Sequence, residues 1–126
     1  MILGIGTDLV EIQRISKAYN RRSIGFVKRI LTVKEFKEFH RLDSEKRKME
    51  WLSGRFAAKE ALAKAVGTGI GKQVNLKDIE ISCDSLGKPD LVLSDKVRAL
   101  YPENTIYHLT ITHTENNASA FVIIES

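Results

Sequence analysis

One cysteine, two prolines and a 7% share of aromatic residues are what this 126-residue chain has least of, and each scarcity excludes something. A lone thiol, Cys83, can close neither an internal disulfide nor a cysteine metal cage, which fits a reducing compartment and leaves it as a structural strand residue. So little proline, with only eight glycines, excludes a collagen-like chain and argues against a disordered one. No apolar run approaches the roughly 18 to 20 residues of a membrane span. The opening Met1–Asp8 lacks the charged start and long apolar stretch of a signal peptide, so a cytoplasmic location with no membrane partner is expected. Repeats, linkers and low-complexity segments are also missing.

What is present is a globular balance of 43% hydrophobic and 29% charged residues. At this length, residues 1–126 are expected to form a single domain that buries its own core without disulfide or metal staples. Twenty Lys and Arg against sixteen Asp and Glu give a net charge of +4. The excess is uneven: Arg14, Lys17, Arg21, Arg22, Lys28, Arg29 and Lys34 crowd the first third. An acidic partner is expected to meet that third, and nucleic acid, an acidic protein and a phosphorylated small molecule all satisfy the charge.

The hydrophobic periodicity orders the elements. Ile2 to Val10 reads as a buried strand whose two glycines mark a bulge or a close backbone approach. Helical spacing follows over Glu11–Tyr19 and again over Arg22–Leu31. Thr32 and Glu35 have capping-box spacing and open a helix ending near Leu42, and Asp43-Ser44-Glu45 opens the longest helix, Glu45 to about Val66, stopped by Gly67. Strands are predicted at Ile79–Cys83 and Leu91–Leu93 around an Asp84–Pro89 turn. A short helix capped by Ser94-Asp95 runs through Tyr101, and strands at Thr105–Thr112 and Ala118–Ile124 flank a turn containing Asn116-Asn117. Helices early and strands late give an α+β class, a long central helix packed on an antiparallel sheet.

Two acids stand out. Met49, Leu52, Phe56 and Ala63 define a core-facing stripe on the long helix, and Glu60 falls inside it. A buried carboxylate needs a metal, a cation or a hydrogen-bond network. Lys64, four residues on, offers a plain surface ion pair as the bland alternative. Asp8 interrupts an otherwise apolar strand, where it either caps the next helix or joins Glu60 around a hard divalent cation, Mg²⁺ if phosphate oxygens complete the shell. Gly67-Thr68-Gly69-Ile70-Gly71 follows a helix rather than preceding one and lacks the Lys-Ser/Thr ending of a P-loop, so its plain role is a C-cap, although exposed amides there could approach a phosphate. His113, between Thr112 and Thr114 at a strand end, is either structural or a phosphate contact. No Ser-His-Asp or Cys-His array and no zinc spacing is visible. The basic third interleaves few aromatics and matches no common nucleic-acid motif, which weighs against a nucleic-acid partner.

Three segments, Gly4-Ile-Gly-Thr-Asp8-Leu-Val-Glu-Ile12, Arg55-Phe-Ala-Ala-Lys-Glu60-Ala-Leu-Ala-Lys64-Ala and Gly67-Thr-Gly-Ile70, together resemble the holo-(acyl-carrier-protein) synthase family of 4′-phosphopantetheinyl transferases. The resemblance spans essentially the whole chain and implies that family's fold. It implies transfer of phosphopantetheine from coenzyme A to a serine of an acyl carrier protein in fatty acid biosynthesis, releasing adenosine 3′,5′-bisphosphate. By resemblance, Asp8 and Glu60 hold Mg²⁺ and Lys64 adds charge at the phosphate, these three being the catalytic set. The serine proton has two acceptors by the same resemblance, Glu60 and a metal-bound water. Coenzyme A contacts carry over to Asp8, Arg55, Lys64, Gly67, Thr68, Gly69, Thr112 and His113. Where family members often have Ser before this His and an aromatic a few residues later, this chain has Thr112 and Asn116-Asn117. The resemblance further implies carrier docking on Arg14, Arg21, Arg22 and Phe26, and a homotrimer with active sites between subunits. The competing readings are a non-catalytic basic nucleic-acid module and a metal-dependent phosphoesterase using the same acids on water.

Overall fold

The computed structural model describes all 126 residues. Strand β1 (Ile2–Glu11) leads into helices α1 (Ile12–Arg22), α2 (Ile24–Ile30), α3 (Val33–Arg41) and α4 (Glu45–Val66). A 3-10 turn at Leu76–Asp78 precedes β2 (Ile79–Cys83) and β3 (Pro89–Leu93). The one-turn helix α5 (Asp95–Arg98) and strands β4 (Ile106–His113) and β5 (Asn117–Glu125) complete the chain. One antiparallel sheet has the order β1-β5-β4, and β2-β3 forms a separate hairpin. The long helix crosses the three-stranded sheet, the α+β arrangement anticipated above.

Local chemistry sets most boundaries. The Thr32 hydroxyl accepts from the Glu35 amide at 3.3 Å while Glu35 Oε1 accepts from the Thr32 amide at 2.9 Å, closing the expected capping box at α3. Ser44 Oγ accepts from the Arg47 amide at 3.1 Å to start α4, and Gly67 ends it with φ 99°, a left-handed conformation that glycine adopts without cost. Helix α1 continues to Arg22 rather than stopping at Tyr19, and the break falls at Ser23, whose φ is 50°. Helix α5 stops at Arg98 instead of reaching Tyr101.

The expectation of a buried first strand is corrected. Only the inner face of β1 is covered, at Gly6 and Val10, whereas Ile5 is 62% and Leu9 69% exposed on the outer face. The glycines on the inner face explain how α4 sits so close. A Cβ at Gly4 would collide with the Ala65 carbonyl oxygen, and one at Gly6 with the Ala61 carbonyl oxygen and, at 2.6 Å, the Ala65 nitrogen. Bare backbone therefore packs directly on the helix, so the relative height of β1 and α4 has little slack.

The stripe predicted on α4 is corrected too. The helix is buried on nearly every side, at Trp51, Leu52, Ala57, Ala58, Ala61, Leu62 and Ala65 as well as Met49 and Ala63. Sheet, hairpin and helices surround it, so no single stripe marks its core. Phe56 and Glu60 lie at the margin, half-buried. The charge truly inside the core is Lys59, whose ammonium meets the Glu35 carboxylate at 2.6 Å with both side chains 0% exposed.

Candidate active site

Asp8 lies on the inner face of β1, aligned with Ala120 of β5 and, through it, Ile111 of β4. Alternation along the strand sends its carboxylate toward α4. Glu60 and Lys64, one helical turn apart on α4, come toward it from the other side. Lys64 Nζ donates to Asp8 Oδ1 at 2.9 Å, and the Asp8 side chain is 15% exposed against 52% for Lys64. The surface pair with Glu60 suggested by spacing is thus replaced by a pair with the strand. Nor does Asp8 cap α1: the capping position is Glu11, and no side chain bonds the first-turn amides.

Asp8 and Glu60 line one cleft of about 340 Å³ together with Leu9, Arg14, Ile15 and Phe56. Partial burial, reinforced by the Asp8 charge, pushes the Glu60 carboxyl above its ordinary value of 4.5, with Lys64 pulling weakly the other way. A carboxylate whose charged form is disfavoured by burial and by a second carboxylate beside it gains from any cation placed between them. No cluster of three or more His, Cys, Asp or Glu exists in the chain, which excludes an all-protein metal cage. Two hard oxygen donors at an open cleft suit Mg²⁺, which retains waters and takes the rest of its shell from phosphate oxygens.

The other anticipated contacts do not all gather here. The Arg55 guanidinium stacks 4.4 Å from the centre of the Trp51 ring, its Nη2 donates to Cys83 Sγ at 3.5 Å, and its buried Nε has no partner. Cys83 itself is exposed at the end of β2. Gly54, beside Arg55, packs on Ile111 of β4, the strand that ends in Thr112 and His113, both exposed. β5 separates that strand from β1, about 10 Å at two sheet spacings. The chain therefore carries Asp8, Glu60 and Lys64 toward one sheet edge and Thr112, His113 and Arg55 toward the other. Gly67 and Thr68 are exposed just beyond Lys64. The expected availability of the loop amides is corrected at three positions: those of Gly67 and Gly69 both bond the Ala63 carbonyl, at 3.0 and 3.1 Å, and that of Gly71 bonds Val74 O at 2.8 Å.

Arg14, Arg21 and Arg22 are exposed on α1, and Phe26 on α2 is half-buried against the core. Arg14 joins this basic surface to the acidic cleft, since it lines both. Phe56 is a cleft residue that the periodicity had assigned to the core. The buried pair of Lys59 and Glu35 gave no signal of its own, since two charges 24 residues apart carry no spacing rule.

Residues 4–122 match the 4′-phosphopantetheinyl transferase superfamily. The chain is 50% identical to the holo-[acyl-carrier-protein] synthase of Staphylococcus haemolyticus over 99% of its length and 98% of that protein's. It is 47% identical to the Bacillus subtilis synthase over 99% of its own length and 97% of that chain. Among solved structures, the Neisseria meningitidis synthase superposes with a TM-score of 0.91 at 38% identity, each chain fully covered. The Bacillus anthracis synthase, in complex with CoA (3′,5′-ADP), superposes with a TM-score of 0.86 at 44% identity over 100% of this chain and 98% of that one. Fold, paired acids and whole-length similarity agree: the chain belongs to the holo-[acyl-carrier-protein] synthases of the 4′-phosphopantetheinyl transferase superfamily.

Proposed function

We propose that this chain, as one transferase domain over residues 1–126, moves the 4′-phosphopantetheine arm of coenzyme A to a serine of apo acyl carrier protein. The products are holo acyl carrier protein and adenosine 3′,5′-bisphosphate, and the step serves fatty acid biosynthesis in the cytoplasm. One observation carries the reading: Asp8, held by Lys64, and Glu60 line one cleft whose rim, at Arg14, begins a basic helix surface. The relatives from Bacillus anthracis and Helicobacter pylori are complexes with CoA (3′,5′-ADP) and coenzyme A, which supports coenzyme A as the co-substrate.

Asp8 and Glu60 would hold Mg²⁺, which when bound supplies Lewis acidity to the pyrophosphate oxygens. The serine oxygen attacks the β-phosphorus, the bond to the nucleotide oxygen breaks, and the bisphosphate departs with the electron pair. Lys64 matches charge that shifts onto the phosphoryl oxygens during that exchange. In this reading Glu60 takes the serine proton. Phe56, half-buried in the cleft, supplies an apolar side chain that limits water at the reacting phosphorus.

The homotrimer with active sites between subunits belongs to the same proposal. The outer sheet face leaves Ile5, Leu9, Ile106 and Phe121 exposed, apolar side chains that a neighbouring subunit would cover. Arg55, Thr112 and His113 lie toward the opposite edge from Asp8 and Glu60, so a neighbour's β4 edge would complete each site. The deciding experiment mixes the protein with Mg²⁺, coenzyme A and apo carrier, then weighs the carrier. Gain of the phosphopantetheine mass supports the transfer; hydrolysis of coenzyme A with an unmodified carrier overturns it in favour of a phosphoesterase.

A further inference from the structure

Lys59 and Glu35 form the one ion pair of the molecule with no exposure at all, and it joins four elements. Lys59 Nζ donates to Glu35 Oε1 at 2.6 Å and to the Ile30 carbonyl, the last residue of α2, at 2.7 Å. Glu35 Oε1 also accepts from the Thr32 amide, and Oε2 accepts from the Ile81 amide of β2 at 2.7 Å. Beside it the Thr32 hydroxyl donates to Glu80 Oε1 at 2.6 Å. So α4 is tied through Lys59 to the end of α2 and the start of α3, and through Glu35 onward to the hairpin.

A buried pair of this kind is a poor source of stability, because desolvation offsets most of its attraction and an apolar pair of similar volume often does as well. What it offers is direction. Successive helix residues are turned about 100° from one another. With Lys59 taken as zero, Glu60 and Lys64 lie near 100° and 140°, and Ala61 and Ala65, whose carbonyls touch Gly6 and Gly4, lie near 200° and 240°. The two functional side chains thus occupy an arc pinned at both ends, by the buried pair on one side and by the glycine contact with β1 on the other. A small roll of α4 about its axis would carry Glu60 away from Asp8, and the buried pair opposes it from the side that the glycine contact does not reach.

We propose that Lys59 and Glu35 are positioning residues that hold the rotation of α4 so that Glu60 faces Asp8, while fastening the α2–α3 corner beside the carrier-docking surface. The inference rests on the metal-site reading above. Groups that hydrogen-bond metal ligands commonly change affinity by ten- to a hundredfold, and this pair acts one step further out, through the helix, so the lower end, about tenfold, is expected.

The test is the double variant Lys59→Met with Glu35→Met, which replaces the pair by apolar side chains of similar length, beside Glu35→Gln and Asp8→Asn. Mn²⁺ binding to the protein without substrates, followed by electron paramagnetic resonance, is read next to the thermal melt and to the Mg²⁺ concentration for half-maximal turnover. The expected result is a double variant that melts at or above the parent temperature, binds Mn²⁺ about tenfold more weakly and recovers turnover at high Mg²⁺. Parent-like Mn²⁺ binding in the double variant overturns the positioning role and leaves the metal site standing. Should the double variant fail to fold, Glu35→Gln carries the same comparison, and parent-like binding in it likewise overturns the proposal. Mn²⁺ binding in the parent that Asp8→Asn does not weaken overturns the metal site itself, and the inference with it.

Discussion

The Lys64 ammonium stands 2.9 Å from the Asp8 carboxylate, across from the helix that carries it, and not on Glu60 one turn earlier. The lysine thereby occupies the carboxylate that a metal would use, so a metal bound there would compete with it for Asp8. Lys64→Ala is expected to strengthen Mn²⁺ binding to the protein alone and to lower the turnover number. A charge-assisted contact of about 1.5–3 kcal/mol corresponds to a loss of about ten- to a hundredfold. Coenzyme A affinity is expected to fall less than turnover, because the contact strengthens as charge moves during transfer. Loss of affinity alone, at unchanged turnover, would show that Lys64 binds ground and transition states equally.

Asp8→Ala and Glu60→Ala are each expected to remove two to three decades of turnover at saturating Mg²⁺, about the worth of a metal's charge stabilisation. Neither change should lower the melting temperature much, since each relieves repulsion between two carboxylates at a half-open cleft, which for Asp8 offsets the loss of its pair with the exposed Lys64. Turnover near the parent's in either variant would remove that residue from the metal site.

The raised proton affinity of Glu60 gives a pH signature. The folded chain binds this proton more tightly than the unfolded chain does, so Glu60 adds stability when protonated, below 4.5 in full, and that stability is lost as the pH rises through its folded value. Glu60→Gln should flatten this part of the stability profile. Metal binding runs the other way, weakening as the pH falls through the same value, because only the carboxylate is a ligand. A melting-temperature profile identical in parent and Glu60→Gln between pH 4 and 7 would show that the group is not perturbed.

Gly6 should not tolerate a methyl group. Its Cβ would meet the Ala61 carbonyl and the Ala65 nitrogen, both helix backbone that has nowhere to go. Gly6→Ala is expected to cost about 3 kcal/mol, the upper part of the overpacking range, as a lower urea midpoint, and to reduce turnover by lifting Asp8 from Glu60. An unchanged midpoint would mean that β1 and α4 do not lie as close as described.

Much of this was legible in the residues themselves. Thr32, Ser44 and Gly67 carry their roles in their own chemistry, so the ends of α3 and α4 follow from sequence. Asp8 and Glu60 were visible as acids in apolar surroundings. Their partners were not, because pairing across the sheet depends on register: Lys64 has equal reach to a neighbour on its own helix and to a strand 56 residues away. Periodicity failed on α4 for a related reason, since a helix surrounded on nearly all sides has no stripe. Lys59 and Glu35 show the limit most plainly, as a Lys and a Glu in sequence look like surface residues until the fold buries both.

The docking surface gives the last prediction. Arg14 and Arg21 lie seven residues apart, two turns along one exposed side of α1, with Arg22 adjacent. An acidic carrier drawn to that side would associate faster than diffusion of neutral partners allows, and the gain would fade with salt. Arg14→Glu and Arg21→Glu are expected to raise the carrier KM about tenfold at low salt, to weaken its salt dependence and to leave coenzyme A affinity nearly unchanged. Coenzyme A is itself an anion, so a mere change in net charge would weaken both substrates together. The control must reverse a charge that holds nothing in place. Lys96 is unsuited, because it bonds Asp78 at 2.8 Å and the Lys72 carbonyl at 3.1 Å. Lys88, exposed in the β2–β3 turn, has no side-chain partner and serves. If Lys88→Glu impairs carrier use as much as the α1 reversals do, the basic helix is only part of the net charge of +4 and not a dock.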